Sequence, residues 1–430
     1  MLRGFLLILL AISLVQSRGV DVVAPIQPLE SELKVKFVTV IYRHGDRTPI
    51  DPYPTDPYKD ASEWPVGFGQ LTVRGKQMQY ALGQYLRARY GQLLGQKYGE
   101  SLIYVRSTDF DRTLMSAGSN LAGLFPPIGT EVWNDQLLWQ PIPIHTVPGD
   151  IDNLLSNHAK CPRRDKAQDE VLASDEVHKL NQQHKELYGY LTEHSGTSIT
   201  NMVEVDYIYD TLFIERIYNK TLPKWTQSVF PDKMKYLRDL SFIVSTWTRE
   251  LKRLTAGPLI SDILTTFRKI QSGENPRKMH MYSGHDTTIA SLLNALELLD
   301  PVVAPPYASS VLVELLSTFK PHQPKYFVRI LYRNDSSREP YSLQLPGCQE
   351  LCPLDDFDRL TVNLRPESHW AQECSLGDQE DDLTMEFITF VSVSIGILLF
   401  VILTLAVIVK CFRGKGTNFG YATISQERSP

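Results

Sequence analysis

The sequence predicts an α/β protein: a large domain with a central mixed, mostly parallel sheet flanked by helices, a smaller helical domain inserted into it, and a single C-terminal transmembrane helix. Three observations carry this expectation. Short runs rich in Val, Ile and Tyr alternate with helical periodicity on either side of the chain's middle, the pattern of strand–helix–strand units. Residues 149–255 instead hold polar, Lys- and Glu-rich helical patterns. Residues 387–409 form an apolar run without a charge, long enough to cross a bilayer as a helix.

Taken in order, Arg3, the apolar run Phe5 to Val15 and then Val15-Gln16-Ser17, with small or β-branched residues at the cleavage positions, read as a signal peptide over 1–17. The stretch from Lys34 to Pro49, KVKFVTVIYRHGDRTP, begins as a buried strand and then delivers Arg43, His44, Gly45, Asp46 and Arg47 at its carboxyl end. The five fixed positions of R-H-G-x-R-x-P arise by chance on the order of once in ten thousand chains of this length. Two guanidiniums around an imidazole are costly unless an anion joins them, and phosphate matches their forked donors. Gly45 lets a ligand approach the backbone closely.

Residues 51–69, dense in Pro, Tyr and Asp, are a loop. A helix is predicted from Thr72 to Tyr90, with Met78, Leu82, Tyr85, Leu86 and Tyr90 on its packed face. Ser101 to Val105 is a second strand, ending at Arg106, which joins the first cluster. Asp109, Asp111 and Arg112 are expected to cap and pair at the start of the next helix, Thr113 to Phe125. His145 is expected to be packed or hydrogen-bonded in a Pro-flanked loop. A helix over Pro258 to Ile270 precedes a third strand, Lys278 to Ser283, which ends in Gly284-His285-Asp286. Val311 to Ser317 and Tyr326 to Tyr332 form an antiparallel pair.

The resulting division is a large domain over 18–148 and 256–374, the helical insertion over 149–255, a lumenal stalk over 375–386, the span over 387–409 and a cytoplasmic tail over 410–430. Acidic residues precede the span and Lys410, Arg413 and Lys415 follow it, so the positive-inside bias puts the tail in the cytosol, a single-pass type I arrangement. Asn219 and Asn334 head glycosylation acceptors, consistent with export. Tyr421 and Ile424, in the run GYATI, form a sorting signal of the kind adaptors read. Cys411 is a palmitoylation candidate or a plain thiol. Four lumenal cysteines, Cys161, Cys348, Cys352 and Cys374, allow three connectivities. A net charge of -5 argues against a nucleic-acid partner, and no histidine or cysteine spacing calls for a metal or other cofactor.

Three strand ends thus supply Arg43, His44, Arg47, Arg106, His285 and Asp286, a set suited to phosphoryl transfer. An imidazole attacks phosphorus only when neutral, and neighbouring guanidiniums keep it so in acid. The same guanidiniums stabilise charge in the transition state. A protonated Asp286 can serve the leaving oxygen and later help water attack.

These residues, with WP at 64–65, GQLT at 69–72, VRSTDFDRT at 105–113 and HDTT at 285–288, resemble the histidine acid phosphatases, and within them the lysosomal and prostatic members most. The resemblance runs from about residue 33 to Cys374 and is weakest across 160–255. It implies an α/β domain with a helical second domain, homodimerisation, and hydrolysis of many phosphate monoesters at acid pH through a phosphohistidine. His44 would be the nucleophile and Asp286 the proton donor, with Arg43, Arg47, Arg106 and His285 binding phosphate and no metal involved. It pairs Cys348 with Cys352 and Cys161 with Cys374, and sets Ile214 and Ser310 where similar proteins carry a third bridge. A lysosomal or endosomal membrane location follows, with the cell surface or a released form as alternatives. Competing functions are a narrower phosphomonoesterase, such as a phytase, a lysophosphatidate phosphatase or a nucleotide phosphatase, and a catalytically inactive receptor-like ectodomain.

Overall fold

The computed structural model describes residues 33–274, 277–319, 324–376 and 378–414. The expected signal peptide and the sorting residues Tyr421 and Ile424 lie outside the described residues. The first strand, Leu33–Arg43 (β1), is fully buried from Phe37 onward, because it lies inside the sheet with neighbours on both sides. A strand covered on both faces needs a continuous apolar run, which the sequence supplies.

Val73–Leu94 (α1), Ile103–Thr108 (β2), Asp111–Leu124 (α2) and His145–Val147 (β3) follow. The chain then turns helical through Pro162–Leu172 (α3), Asp175–Gln183 (α4), Lys185–Ser195 (α5), Met202–Ile217 (α6), Asp232–Ser241 (α7) and Arg249–Thr255 (α8). Gly257–Gln271 (α9), Met279–Gly284 (β4), Asp286–Ala295 (α10), Ser310–Thr318 (β5) and Tyr326–Arg333 (β6) return it to the sheet. Tyr341–Leu343 (β7), Cys352–Pro353 (β8), Leu354–Thr361 (α11), Trp370–Glu373 (α12) and Asp378–Gly414 (α13) complete it.

The strands are ordered β3-β2-β4-β1-β5-β6-β7, with β8 against β6. From β3 to β1 the pairing is parallel, and β5 and β6 form the expected antiparallel pair. Parallel register sets Arg43 beside Gly284 and Ser107 beside Ser283, so the carboxyl ends of β1, β2 and β4 open onto one edge. Alternate side chains of β1 supply two cores. Phe37 and Ile41 pack with Ile263 and Phe267 of α9, while Val38, Val40 and Tyr42 pack with Leu82 and Leu86 of α1 and Leu121 of α2. Each such buried side chain contributes roughly 1.5–3 kcal/mol.

The helices from α3 to α8 have a third core, in which Val205, Ile208 and Leu212 of α6 meet Met234, Leu237 and Leu251. Tyr53, from the loop after β1, is buried in it. Disulfides join Cys161 to Cys374 and Cys348 to Cys352. The helix α13 starts within the expected stalk, and its stretch Ile388–Lys410 is long and apolar enough to cross a membrane.

At Gly45 the space is taken by protein. A Cβ there would lie 2.2 Å from the carbonyl oxygen of Gly75, so the first turn of α1, and not a ligand, is what approaches this backbone. Gly45→Ala should therefore push the loop after β1 away from α1. We expect a loss of about 1–3 kcal/mol of stability, the usual cost of overpacking, read as a lower melting temperature together with slower turnover.

Candidate active site

The loop after β1 is held by the segment that carries GQLT. Thr48 Oγ1 donates to Gly67 O at 2.7 Å and Gly69 N donates to Pro49 O at 2.8 Å. Thr72, the N-cap of α1, accepts from Gly75 N and donates from Oγ1 to Asp46 Oδ2 at 2.5 Å. Tyr218, just past α6, donates to the same Asp46 oxygen at 2.6 Å, which ties the helical region to this loop. Gln79 of α1 donates to the carbonyl of Arg43 at 2.7 Å.

His44 is 1% exposed. Its Nδ1 lies 2.8 Å from the carbonyl oxygen of Gly45, and because a carbonyl only accepts, Nδ1 carries the proton and Nε2 keeps its lone pair. Burial first, and then the charges of Arg43, Arg47 and Arg112 with a contribution from His285, holds this imidazole well below the usual histidine range. It therefore stays uncharged at a pH where an ordinary histidine has begun to protonate.

Arg43 donates from Nη1 to Pro305 O and pairs through Nη2 with Asp286 Oδ2, both at 2.7 Å. Arg47 pairs with Asp210 of α6 at 2.9 Å. The Nε donors of Arg43, Arg47 and Arg112 are buried without a partner among the described residues. Three guanidiniums with unmade donors, whose charges reach one imidazole, are chemically matched to a tetrahedral anion.

Arg106 is not with them. The strand β2 runs on to Thr108, so Arg106 sits inside it, opposite Tyr282 in register, and its side chain points to a sheet face. There its Nη2 pairs with the fully buried Asp152. Asp152 also accepts from the amides of Leu154 and Leu155, so the pair anchors the loop that brings Ser156 and His158 to the site. The arginine whose charge reaches His44 instead is Arg112, in the first turn of α2, whose guanidinium lies over Phe110 at 4.7 Å. Capping by Asp109 or Asp111 does not occur either: the N-cap is Phe110, without a side-chain bond, and Asp111 is in the first turn.

His285 Nε2 lies 3.0 Å from Thr108 Oγ1, and Arg112 Nη2 approaches its Nδ1 at 3.5 Å. Burial, then Arg112, push its pKa down to about 3, so it too is neutral. The His44 and His285 rings meet edge to face at 5.5 Å. Asp286 heads α10 and accepts from Thr287 N at 2.8 Å. Burial alone would raise its pKa, but Arg43, Arg47 and His285 together hold it below the usual carboxylate range. His145, expected to pack in a loop, lies on β3, where it is exposed yet stacked on Tyr104 at 5.1 Å.

A cavity of about 530 Å³ adjoins these groups, lined by Arg47, Arg112, His285 and Asp286 together with Val203, Asp206, Tyr207 and Asp210 of α6. Burial, with Asp210 and Asp286 close by, pushes Asp206 up to about 7 although Arg238 opposes it. No motif marks Asp206 or Asp210, because their helix enters the site only through tertiary packing.

The family model described as the histidine phosphatase superfamily (branch 2) matches residues 34–333. Human prostatic acid phosphatase is 42% identical over 347 residues, 79% of this chain and 88% of its own. Human lysosomal acid phosphatase is 38% identical over 411 residues, 95% and 94% of the two chains. Among solved structures, the Hafnia alvei phytase in complex with myo-inositol hexakis sulphate superposes with a TM-score of 0.59 at 18% identity, covering 80% of this chain and 99% of its own, a likeness of fold.

Proposed function

Because this chain belongs to the histidine phosphatase superfamily (branch 2), we propose that its phosphatase chemistry runs through a phosphohistidine on His44, with Asp286 as proton donor and Arg43, Arg47, Arg112 and His285 around the phosphate. The observation that carries this is the buried His44, its Nδ1 bonded to Gly45 O, set among guanidiniums with unmade donors. In the first step the Nε2 lone pair forms the N–P bond as the P–O ester bond breaks, and the Asp286 proton goes to the departing oxygen. The Gly45 carbonyl stabilises the positive charge that grows on the ring, and the arginines stabilise the phosphoryl oxygens. In the second step Asp286 takes a proton from water, the hydroxide oxygen bonds to phosphorus, and the N–P bond breaks to restore neutral His44.

Asp286 is ionised in the empty site, as its arginine partners dictate. A phosphate dianion on those arginines neutralises the charge that depressed its pKa, so substrate binding itself loads the donor. Asp51 and Asp210 on the cavity wall disfavour a second phosphate, which favours monoesters with one phosphate over polyphosphorylated ones, while Asp206, whose raised pKa keeps its proton in acid, adds no charge. Comparing an aryl phosphate, a nucleoside monophosphate and inositol hexakisphosphate tests this; turnover of the last at a rate equal to the others would contradict it.

An acid lumen also suits the buried carboxyl pair of Asp56, in the loop after β1, and Glu215 of α6. Burial raises both, and each is the other's close neighbour, with Lys220 opposing. A carboxyl whose pKa is raised by folding binds its proton more tightly in the native state, so stability falls as pH climbs above the ordinary carboxylate range. The melting temperature should be higher at pH 5 than at pH 7.5, and Glu215→Gln should shrink that difference. A difference unchanged by the substitution would count against the pair.

The assignment to a lysosomal or endosomal membrane rests on the helix α13, the lysosomal relatives and the tail signal at Tyr421 and Ile424; Tyr421→Ala should leave the protein at the cell surface. Exposed Asn219 and Asn334 would carry glycans, removable by a glycosidase with a drop in mass. The homodimer would use the β3 edge of the sheet, preceded by exposed Trp133, Leu137, Leu138 and Trp139, and sedimentation in detergent would read its mass.

A further inference from the structure

One buried polar group has no part in the steps above. Tyr307 lies in the connection between α10 and β5, and its hydroxyl is buried without a hydrogen-bond partner among the described residues. Leaving such a donor unmade is costly, so its persistence points to a group that arrives later.

The surroundings of Tyr307 say which group. The guanidinium carbon of Arg43 lies 4.1 Å from its ring centroid, and the ring stands 5.8 Å from that of His44, tilted by 42°. The charges that act on the phenol are those of Arg47, Asp210, Arg43 and Asp46, all groups of the site or of the loop that carries it. Burial pushes its pKa up to about 12, so the phenol keeps its proton and has a donor to offer an anion.

Its backbone is stitched to the nucleophile. Ala308 N donates to His44 O at 3.1 Å, Arg43 N donates to Ser309 O at 3.0 Å, and Arg43 Nη1 donates to Pro305 O at 2.7 Å. Ala308 has φ +56, a left-handed conformation that a residue with a Cβ adopts at a cost. Strain of this kind persists where the surrounding structure holds a segment in one place.

We propose that the Tyr307 hydroxyl donates a hydrogen bond to the phosphoryl group as it passes to His44, a catalytic contact that tightens in the transition state. This rests on the phosphohistidine reading and adds a donor to it. The simpler role, a ring that only props Arg43, predicts that the hydroxyl is dispensable.

The test uses full-length protein in detergent. Tyr307→Phe keeps the ring over Arg43 and removes the donor alone. We expect kcat/KM to fall by about 10²-fold, at the lower end of the range seen when one transition-state donor is lost. Inhibition by vanadate, a mimic of five-coordinate phosphorus, should weaken at least about tenfold more than inhibition by inorganic phosphate, because the contact belongs to the transition state. A kcat/KM within about twofold of wild type, or equal weakening of the two inhibitors, overturns the proposal. Should Tyr307→Phe not fold, Tyr307→His, which keeps an aromatic face and an N–H donor, must exceed Tyr307→Leu by about tenfold, and equality overturns it. Failure of the phosphohistidine reading looks different: the wild-type enzyme would form no phosphoenzyme at all, which would sink both.

Discussion

Replacing Arg112 by Ala is expected to lower kcat/KM by about 10²- to 10³-fold, the cost of removing one preorganised charged donor from a transition state. Arg106→Ala is expected to behave in the opposite way, with modest change in kcat and a large loss of stability. Arg112 lines the cavity and its charge reaches His44, whereas Arg106 is paired with Asp152. Removing Arg106 leaves a fully buried carboxylate without its cation, and breaking a buried pair from one side costs about 3–5 kcal/mol. Steady-state kinetics and thermal melts on both variants separate the two roles. A melt unchanged for Arg106→Ala, with turnover lost, would restore Arg106 to the site and remove Arg112 from it.

Asp286→Ala should slow alkyl phosphates by about 10²- to 10⁴-fold, the usual worth of a general acid, and aryl phosphates with good leaving groups far less. The sign of the pH effect follows from the empty and filled sites. With His44 held well below the usual histidine range, the acid limb of kcat/KM should fall at low pH, where that imidazole protonates. With substrate on Arg43 and Arg47, Asp286 titrates upward, so kcat should decline as pH rises and the donor loses its proton. In Asp286→Ala the decline of kcat with rising pH should flatten. Equal slowing of good and poor leaving groups would remove Asp286 from the donor role.

Much of the site was legible because it is contiguous. Arg43, His44 and Arg47 follow a strand whose apolar run marks it as central, and His285 and Asp286 follow another, so parallel pairing had only to set the two ends side by side. Arg106 misled because strand boundaries are soft by a few residues. Three more residues of β2 turned an expected strand end into a strand interior, and with it a site arginine into a buried ion-pair partner. Arg112 looked like a local partner of Asp109 and Asp111, since nothing in a linear reading says that the first turn of α2 looks back at β1. Asp210, Tyr218 and Tyr307 were out of reach for a different reason. Each comes to the site through packing of distant segments, and none carries a motif. Gln79 was hidden by the neighbouring Met78, which fits the apolar stripe while Gln79 is the residue that is fully buried. The disulfide partners came from resemblance, since four cysteines alone permit three pairings.

The central claim is that His44 carries the phosphoryl group. Brief incubation of the full-length protein with a labelled monoester, followed by rapid denaturation, should trap a protein-bound phosphate that is released in acid and survives in base, and His44→Ala should trap none. An acid-stable adduct, or one that forms equally well without His44, would contradict the account.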